Sequence, residues 1–154
     1  MAHTQMAHNK KERAHDEGAL APRLRLAVMR LARRLRQQAP EGVTPSQLAV
    51  LSTLDRGGAM SLGRLAAAER VTPPSLTRIV DALEERGLIE RRADEDDRRR
   101  SSVGLTRAGN RFVQQSRKAK TEYLTERLSR LEKRERDALE QAVGLIEQML
   151  EEEE

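Results

Sequence analysis

A chain of 154 residues has room for one domain with a real core, but this one contains a single Phe, a single Tyr and no Trp. Its core is therefore aliphatic, which favours packed helices over an all-β fold, and the lack of Cys excludes disulfides, thiolate metal sites and a cysteine redox switch within it. Twenty-nine basic residues against 25 acidic ones leave a net charge of +4, a tilt toward polyanions so mild that distribution counts for more than the total.

Residues 1–18 are polar, lack periodicity and contain Met-Ala-His twice, which predicts a mobile arm. His3, His8 and His15 all fall there without a carboxylate or Cys at ligand spacing, so they read as solvated side chains rather than metal ligands. From about Ala19 to Gln38, Leu20, Leu24, Val28, Leu31 and Leu35 form one stripe of a helix, and Arg23, Arg25, Arg30, Arg33, Arg34 and Arg36 cover its other faces. A basic amphipathic helix suits an anionic membrane, but the stripe lacks the Trp and Phe that anchor such helices, and a helical partner buries it equally well. No run approaches the roughly 18 apolar residues of a membrane span, and the N-terminus has no apolar signal core, so a cytoplasmic location is expected.

Pro40, Gly42 and Pro45 punctuate a linker, after which Thr44 is placed to cap a helix Pro45–Asp55 that packs Leu48, Val50, Leu51 and Leu54 inward. Gly57 and Gly58 stop it. Ala59–Ser61 is a candidate short strand, with Ser61 capping a helix over 62–70 that presents Leu62, Leu65 and Ala66. The turn Glu69–Thr72 leads into a second helix, capped by Thr72 and begun by Pro73 and Pro74, whose missing N–H groups cost nothing in a first turn. Leu76, Ile79, Val80 and Leu83 form its buried face; Ser75, Thr77 and Arg78 stand opposite, and no acid occurs before Asp81. Gly87 supplies a left-handed stop. Two short strands follow, Leu88–Arg92 and one ending at Leu105, around a charged turn from Ala93 to Arg100. Two helices joined by a tight turn and followed by paired strands make a winged helix-turn-helix. Past Thr106 a helical tract breaks register near Ser129–Lys133, which predicts two helices, one lined by Phe112, Val113, Ala119, Tyr123, Leu124, Leu128 and Leu131 and the other by Leu139, Ala142, Val143, Ile146 and Leu150. These stripes exceed what one small winged module can bury. The first helix and the last two are therefore expected to pack together and against a second copy of the chain.

The site chemistry points to DNA. Ser75 and Thr77 can bond base edges or phosphates, and Arg78 can reach a guanine bidentately. The wing needs more care, because Arg91 to Arg100 holds five arginines and four acids, a net charge of only +1. Asp97 and Arg99, two apart, can meet on one side of a turn, and the carboxylate could brace a guanidinium extended into a narrow minor groove. A solvated charged hairpin tip with weak ion pairs accounts for the same spacing, and both readings stay open on spacing alone.

Three motifs carry a resemblance: Leu83-Glu84-Glu85-Arg86-Gly87-Leu88, Asp97-Arg98-Arg99, and Leu105-Thr106-Arg107-Ala108-Gly109, with five residues between Arg99 and Leu105. With the helix entry Thr44–Leu54, they resemble the MarR family of bacterial winged-helix regulators, over roughly Ala19 to Leu150. The resemblance implies a homodimeric regulator, usually a repressor, on pseudo-palindromic double-stranded operators, with Asp97 positioning Arg99 in the minor groove. Many members release DNA on binding small phenolic or lipophilic effectors. The oxidant-sensing branch needs Cys, and the zinc-sensing branch needs ligands that a chain with all its His near the N-terminus does not offer.

The expected fold is mainly α, a winged helix-turn-helix over 41–106 with N- and C-terminal dimerisation helices at 19–40 and 107–154. The expected DNA-binding residues are Thr72, Pro74, Ser75, Thr77 and Arg78 on the helix and Asp97, Arg98 and Arg99 on the wing, with no cofactor, no metal and no membrane partner. A competing function is a helical protein- or membrane-interaction module with a charged hairpin, whose binding would be indifferent to competing DNA. An enzyme is disfavoured, since there is no HExxH, no phosphate-binding glycine loop and no His beyond residue 15 to serve as a base.

Overall fold

The computed structural model of the chain describes residues 2–93 and 101–151, and these divide into two compact units, residues 1–38 and 39–154. The first is a single helix, α1 (Ala2–Arg36). It starts at Ala2, not near Ala19, so the helix runs through the segment expected to be an arm. Ala, Met, Gln, Lys, Glu and Arg dominate that segment, and such straight-chain residues favour helix even where no apolar stripe announces one. Pro22 lies inside the helix and removes one intrahelical donor, that to the Gly18 carbonyl. At the other end the Gln38 side-chain amide donates to the Arg34 carbonyl at 3.2 Å, satisfying one of the last orphan acceptors.

The second unit begins with α2 (Pro45–Gly57), whose N-cap is a reciprocal box: the Gln47 N–H donates to Thr44 Oγ1 at 3.2 Å, and the Thr44 N–H donates to Gln47 Oε1 at 2.8 Å. Strand β1 (Met60–Ser61) runs into α3 (Leu62–Glu69), where Ser61 Oγ accepts from the Arg64 N–H. Helix α4 (Pro73–Glu85) ends as Gly87, at φ 66°, lets its N–H reach the Glu84 carbonyl while that of Leu88 reaches Leu83. Strands β2 (Ile89–Ala93) and β3 (Ser101–Leu105) pair antiparallel, Ile89 opposite Leu105 and Ala93 opposite Ser101, and β1 pairs with the far edge of β3, giving the order β1-β3-β2. Helices α5 (Arg107–Leu128) and α6 (Lys133–Glu151) follow, with the expected break between them.

One aliphatic cluster holds this unit together: Val50, Leu51 and Leu54 from α2, Met60, Leu65 and Ala66 from β1 and α3, Leu76, Val80 and Leu83 from α4, then Leu88, Ile89, Val103 and Val113. Phe112 packs only at its margin. Burying a Leu, Ile or Val completely is worth about 1.5–3 kcal/mol, so this cluster fixes α4 against both α3 and the sheet. Two contacts tie α5 to the same frame. The Thr106 hydroxyl donates to the Gly87 carbonyl at 2.6 Å and accepts from the Gly109 N–H at 3.0 Å, capping α5. Gly109 lies so close to the residue that precedes β2 that a Cβ there would stand 1.9 Å from the Leu88 carbonyl oxygen. The Leu-Thr-x-x-Gly sequence is thus a joint between wing and helix.

Candidate nucleic-acid interface

Helix α4 presents two different surfaces. Leu76, Val80 and Leu83 are buried, whereas Thr72, Pro73, Pro74, Ser75, Thr77 and Arg78 are all exposed. Five of the eight expected DNA-binding residues (Thr72, Pro74, Ser75, Thr77 and Arg78) are therefore gathered at one free helix end. The other three, Asp97, Arg98 and Arg99, lie outside the described residues.

The hydroxyls at this end are not equivalent. Thr72 occupies the N-cap position at φ −70° and ψ 148° but its side chain makes no capping bond; its hydroxyl donates to Ser75 Oγ at 3.0 Å. Ser75 keeps its own proton for a partner. Thr77 gives its proton to the Pro73 carbonyl at 3.0 Å, which leaves its oxygen as an acceptor, suited to an exocyclic amine of adenine or cytosine. The backbone contributes little, because Pro73 and Pro74 have no N–H and only Ser75 offers one among the first three helical residues. Any anion met here would be held by side chains.

The charge arrangement supports that use. No acid occurs in the first turn of α4. Of the three acids farther along, Asp81, Glu84 and Glu85, the first two are engaged by Arg91 of β2, through Nη2 at 2.5 Å from Asp81 Oδ1 and through Nη1 to Glu84 Oε2. The hydrogen bond that Arg91 donates to Asp81 chiefly raises the Arg91 pKa above the ordinary guanidinium value, with desolvation opposing it and the charge of Glu84 adding to it. Arg91 thus fastens the wing strand to the recognition helix and neutralises carboxylates that would repel phosphate. The sequence did not reveal this clamp: its members are ten and seven positions apart and meet only once helix packs on strand. Arg92 is paired in the same strand, 2.5 Å from Glu90. Elsewhere in the unit, Arg117 of α5 lies 2.5 Å from the nearly buried carboxylate of Asp55 in α2.

Among the described residues no group of three metal-ligating side chains comes together, and no helix is long and apolar enough to cross a membrane.

A model of the MarR family matches residues 43–101 of the chain. An HTH-type transcriptional regulator of Mycobacterium leprae is 42% identical over 138 residues, which cover 89% of this chain and 96% of that protein. Among solved structures, a transcriptional regulator protein from Pseudomonas aeruginosa matches with a TM-score of 0.79 at 36% identity, over 88% of this chain and 96% of the other. A mutant of MepR from S. aureus, solved bound to an oligodeoxyribonucleotide, matches with a TM-score of 0.68 over 84% of this chain and 96% of that one; at 22% identity this is a likeness of fold.

Proposed function

Since this chain belongs to the MarR family, whose matching relative is an HTH-type transcriptional regulator, we propose that it binds double-stranded DNA sequence-specifically and acts as a homodimeric repressor on a pseudo-palindromic operator in the cytoplasm. The observation that carries the reading is the exposed end of α4, where Ser75, Thr77 and Arg78 face solvent while Arg91 holds the two carboxylates nearest them, Asp81 and Glu84. Thr72, Pro74, Ser75, Thr77 and Arg78 enter the major groove; Asp97, Arg98 and Arg99 serve the minor groove beside it, Asp97 bracing Arg99. Winged regulators that pair two such helices read half-sites about one helical turn apart, roughly 34–36 Å.

The dimer is supported by apolar side chains left uncovered in a single chain. Leu20, Val28 and Leu31 of α1 are exposed, as are Leu139, Val143, Leu145, Met149 and Leu150 of α6, which has no buried residue at all. Most of a helix's stability in a protein comes from packing its apolar face, and α6 buries no residue within one chain, so α6 is built to meet a partner. The segments 19–40 and 107–154 are assigned that task, and 41–106 the DNA. Release by a small-molecule effector belongs to the same proposal. A cavity of about 230 Å³ among Leu54, Asp55, Arg92, Leu105 and Asn110 has no aromatic lining, which disfavours a stacked phenolic ring.

Selection of bound sequences from random DNA tests the reading. A two-fold-related consensus is the expected result, with affinity falling by about 0.9 in log–log slope for each phosphate neutralised. A pool that shows no enrichment over several rounds would reject it.

A further inference from the structure

Arg70 occupies the turn between α3 and α4 at φ 52° and ψ 41°, the left-handed conformation, and among the described residues it is the one non-glycine at positive φ. The turn imposes that conformation. The Arg70 N–H donates to the Ala67 carbonyl at 3.2 Å and the Val71 N–H to that of Ala66 at 3.1 Å, closing α3. The end of α4 is closed by the same pair of bonds, and there the left-handed position is filled by Gly87. Glycine takes this conformation freely, Asn tolerates it, and long L side chains seldom do. The chain nevertheless has an arginine here. Packing does not account for it: Arg70 is exposed, and the adjacent acid is committed elsewhere, Glu69 Oε1 accepting the Thr53 hydroxyl at 2.5 Å. Among the described residues no carboxylate pairs with Arg70, in contrast to Arg91, Arg92 and Arg117.

We infer that Arg70 holds a DNA phosphate at the edge of the groove entered by α4, an inference that rests on the DNA-binding reading above. The turn containing Arg70 leads directly into Thr72–Ser75, so its backbone is fixed beside the helix end proposed to face DNA. That helix offers a phosphate little backbone of its own, because Pro73 and Pro74 supply no N–H and Ser75 alone does in its first three residues. A cation on the preceding turn takes over the task, its backbone fixed by the two bonds that close α3. Contacts of this kind set the register of the protein on the duplex and carry no base preference.

The test uses the full chain and a site chosen by selection from random DNA, with affinity measured across a salt series for the wild type, R70N and R70K. Asn suits the left-handed backbone and lacks charge; Lys keeps the charge. R70N is expected to melt no lower than the wild type, to bind every DNA sequence more weakly by a similar factor, and to lower the log–log salt slope by about 0.9 for each copy of the chain bound. R70K is expected to keep most of that slope. Unchanged R70N affinity and slope would overturn the assignment, as would weaker binding with an unchanged slope or a loss confined to one base position. A wild type that binds no DNA would reject the DNA reading and this inference together, whereas a binding wild type with an indifferent R70N rejects this one alone.

Discussion

Gly109 shows how a single backbone contact can reverse the usual effect of a substitution. In an exposed helix, Gly→Ala stabilises by roughly 1 kcal/mol, but here the added methyl would fall 1.9 Å from the Leu88 carbonyl oxygen, a rigid backbone atom. Gly109→Ala is expected to destabilise the chain by about 3 kcal/mol or more, read as a shift in the denaturant midpoint; a stabilised variant would show that α5 does not pack on Leu88 as described. Ser116 gives the opposite case. Its hydroxyl is buried, 1% exposed, with no hydrogen-bond partner, so Ser116→Ala should be neutral or stabilising by about 1 kcal/mol in the same assay. Lys120 of α5 is lowered from the ordinary lysine pKa by desolvation first and by the charge of Arg117 second. A base whose folded pKa lies below its unfolded one weakens the fold while protonated, and that penalty fades as pH rises from the folded toward the unfolded value. Lys120→Met is therefore expected to raise the melting temperature at neutral pH, with the gain shrinking under alkaline conditions.

At the level of elements, the caps and stops were legible because their chemistry is local. Thr44, Ser61, Thr72 and Gly87 each sit at the helix boundary their residue type predicts, and Leu48, Val50, Leu51 and Leu54 all face inward. The start of α1 was not legible, since a helix without an apolar stripe leaves no period to read. Nor was the clamp on the recognition helix, which depends on two elements packing. Its function leads to a further prediction. Asp81 lies three positions beyond Arg78 on α4, close enough to pair with it once released. Arg91→Ala should change stability by no more than about 1 kcal/mol, because the ion pairs are largely exposed, yet weaken DNA binding by freeing a carboxylate to capture Arg78. Adding Asp81→Asn should restore much of the lost affinity. If Arg91→Ala and Arg78→Ala proved strictly additive in a gel-shift cycle, the two residues would not be coupled.

For the whole molecule, the two kinds of contact proposed here respond to salt in opposite ways. The uncovered side chains of α6 (Leu139, Val143, Leu145, Met149 and Leu150) are apolar, and burial of apolar surface is, if anything, favoured by salts excluded from protein surfaces. The proposed DNA face presents guanidinium groups, whose contribution to binding would come from counterion release and fall steeply with ionic strength. Raising the salt should thus strip the protein from DNA while leaving it dimeric by light scattering. Val143→Glu combined with Leu139→Glu should do the reverse, giving a monomer whose winged unit still folds, since none of its core residues lies in α6. Such a monomer would retain half-site contacts but lose the effective concentration that links them, a factor of about 10² or more in affinity for the full operator. It would also lose the preference for one spacing between half-sites. A double variant that stayed dimeric would exclude α6 from the dimer face, and a monomer that bound the full operator as tightly as the wild type would show that one copy of the chain suffices for DNA.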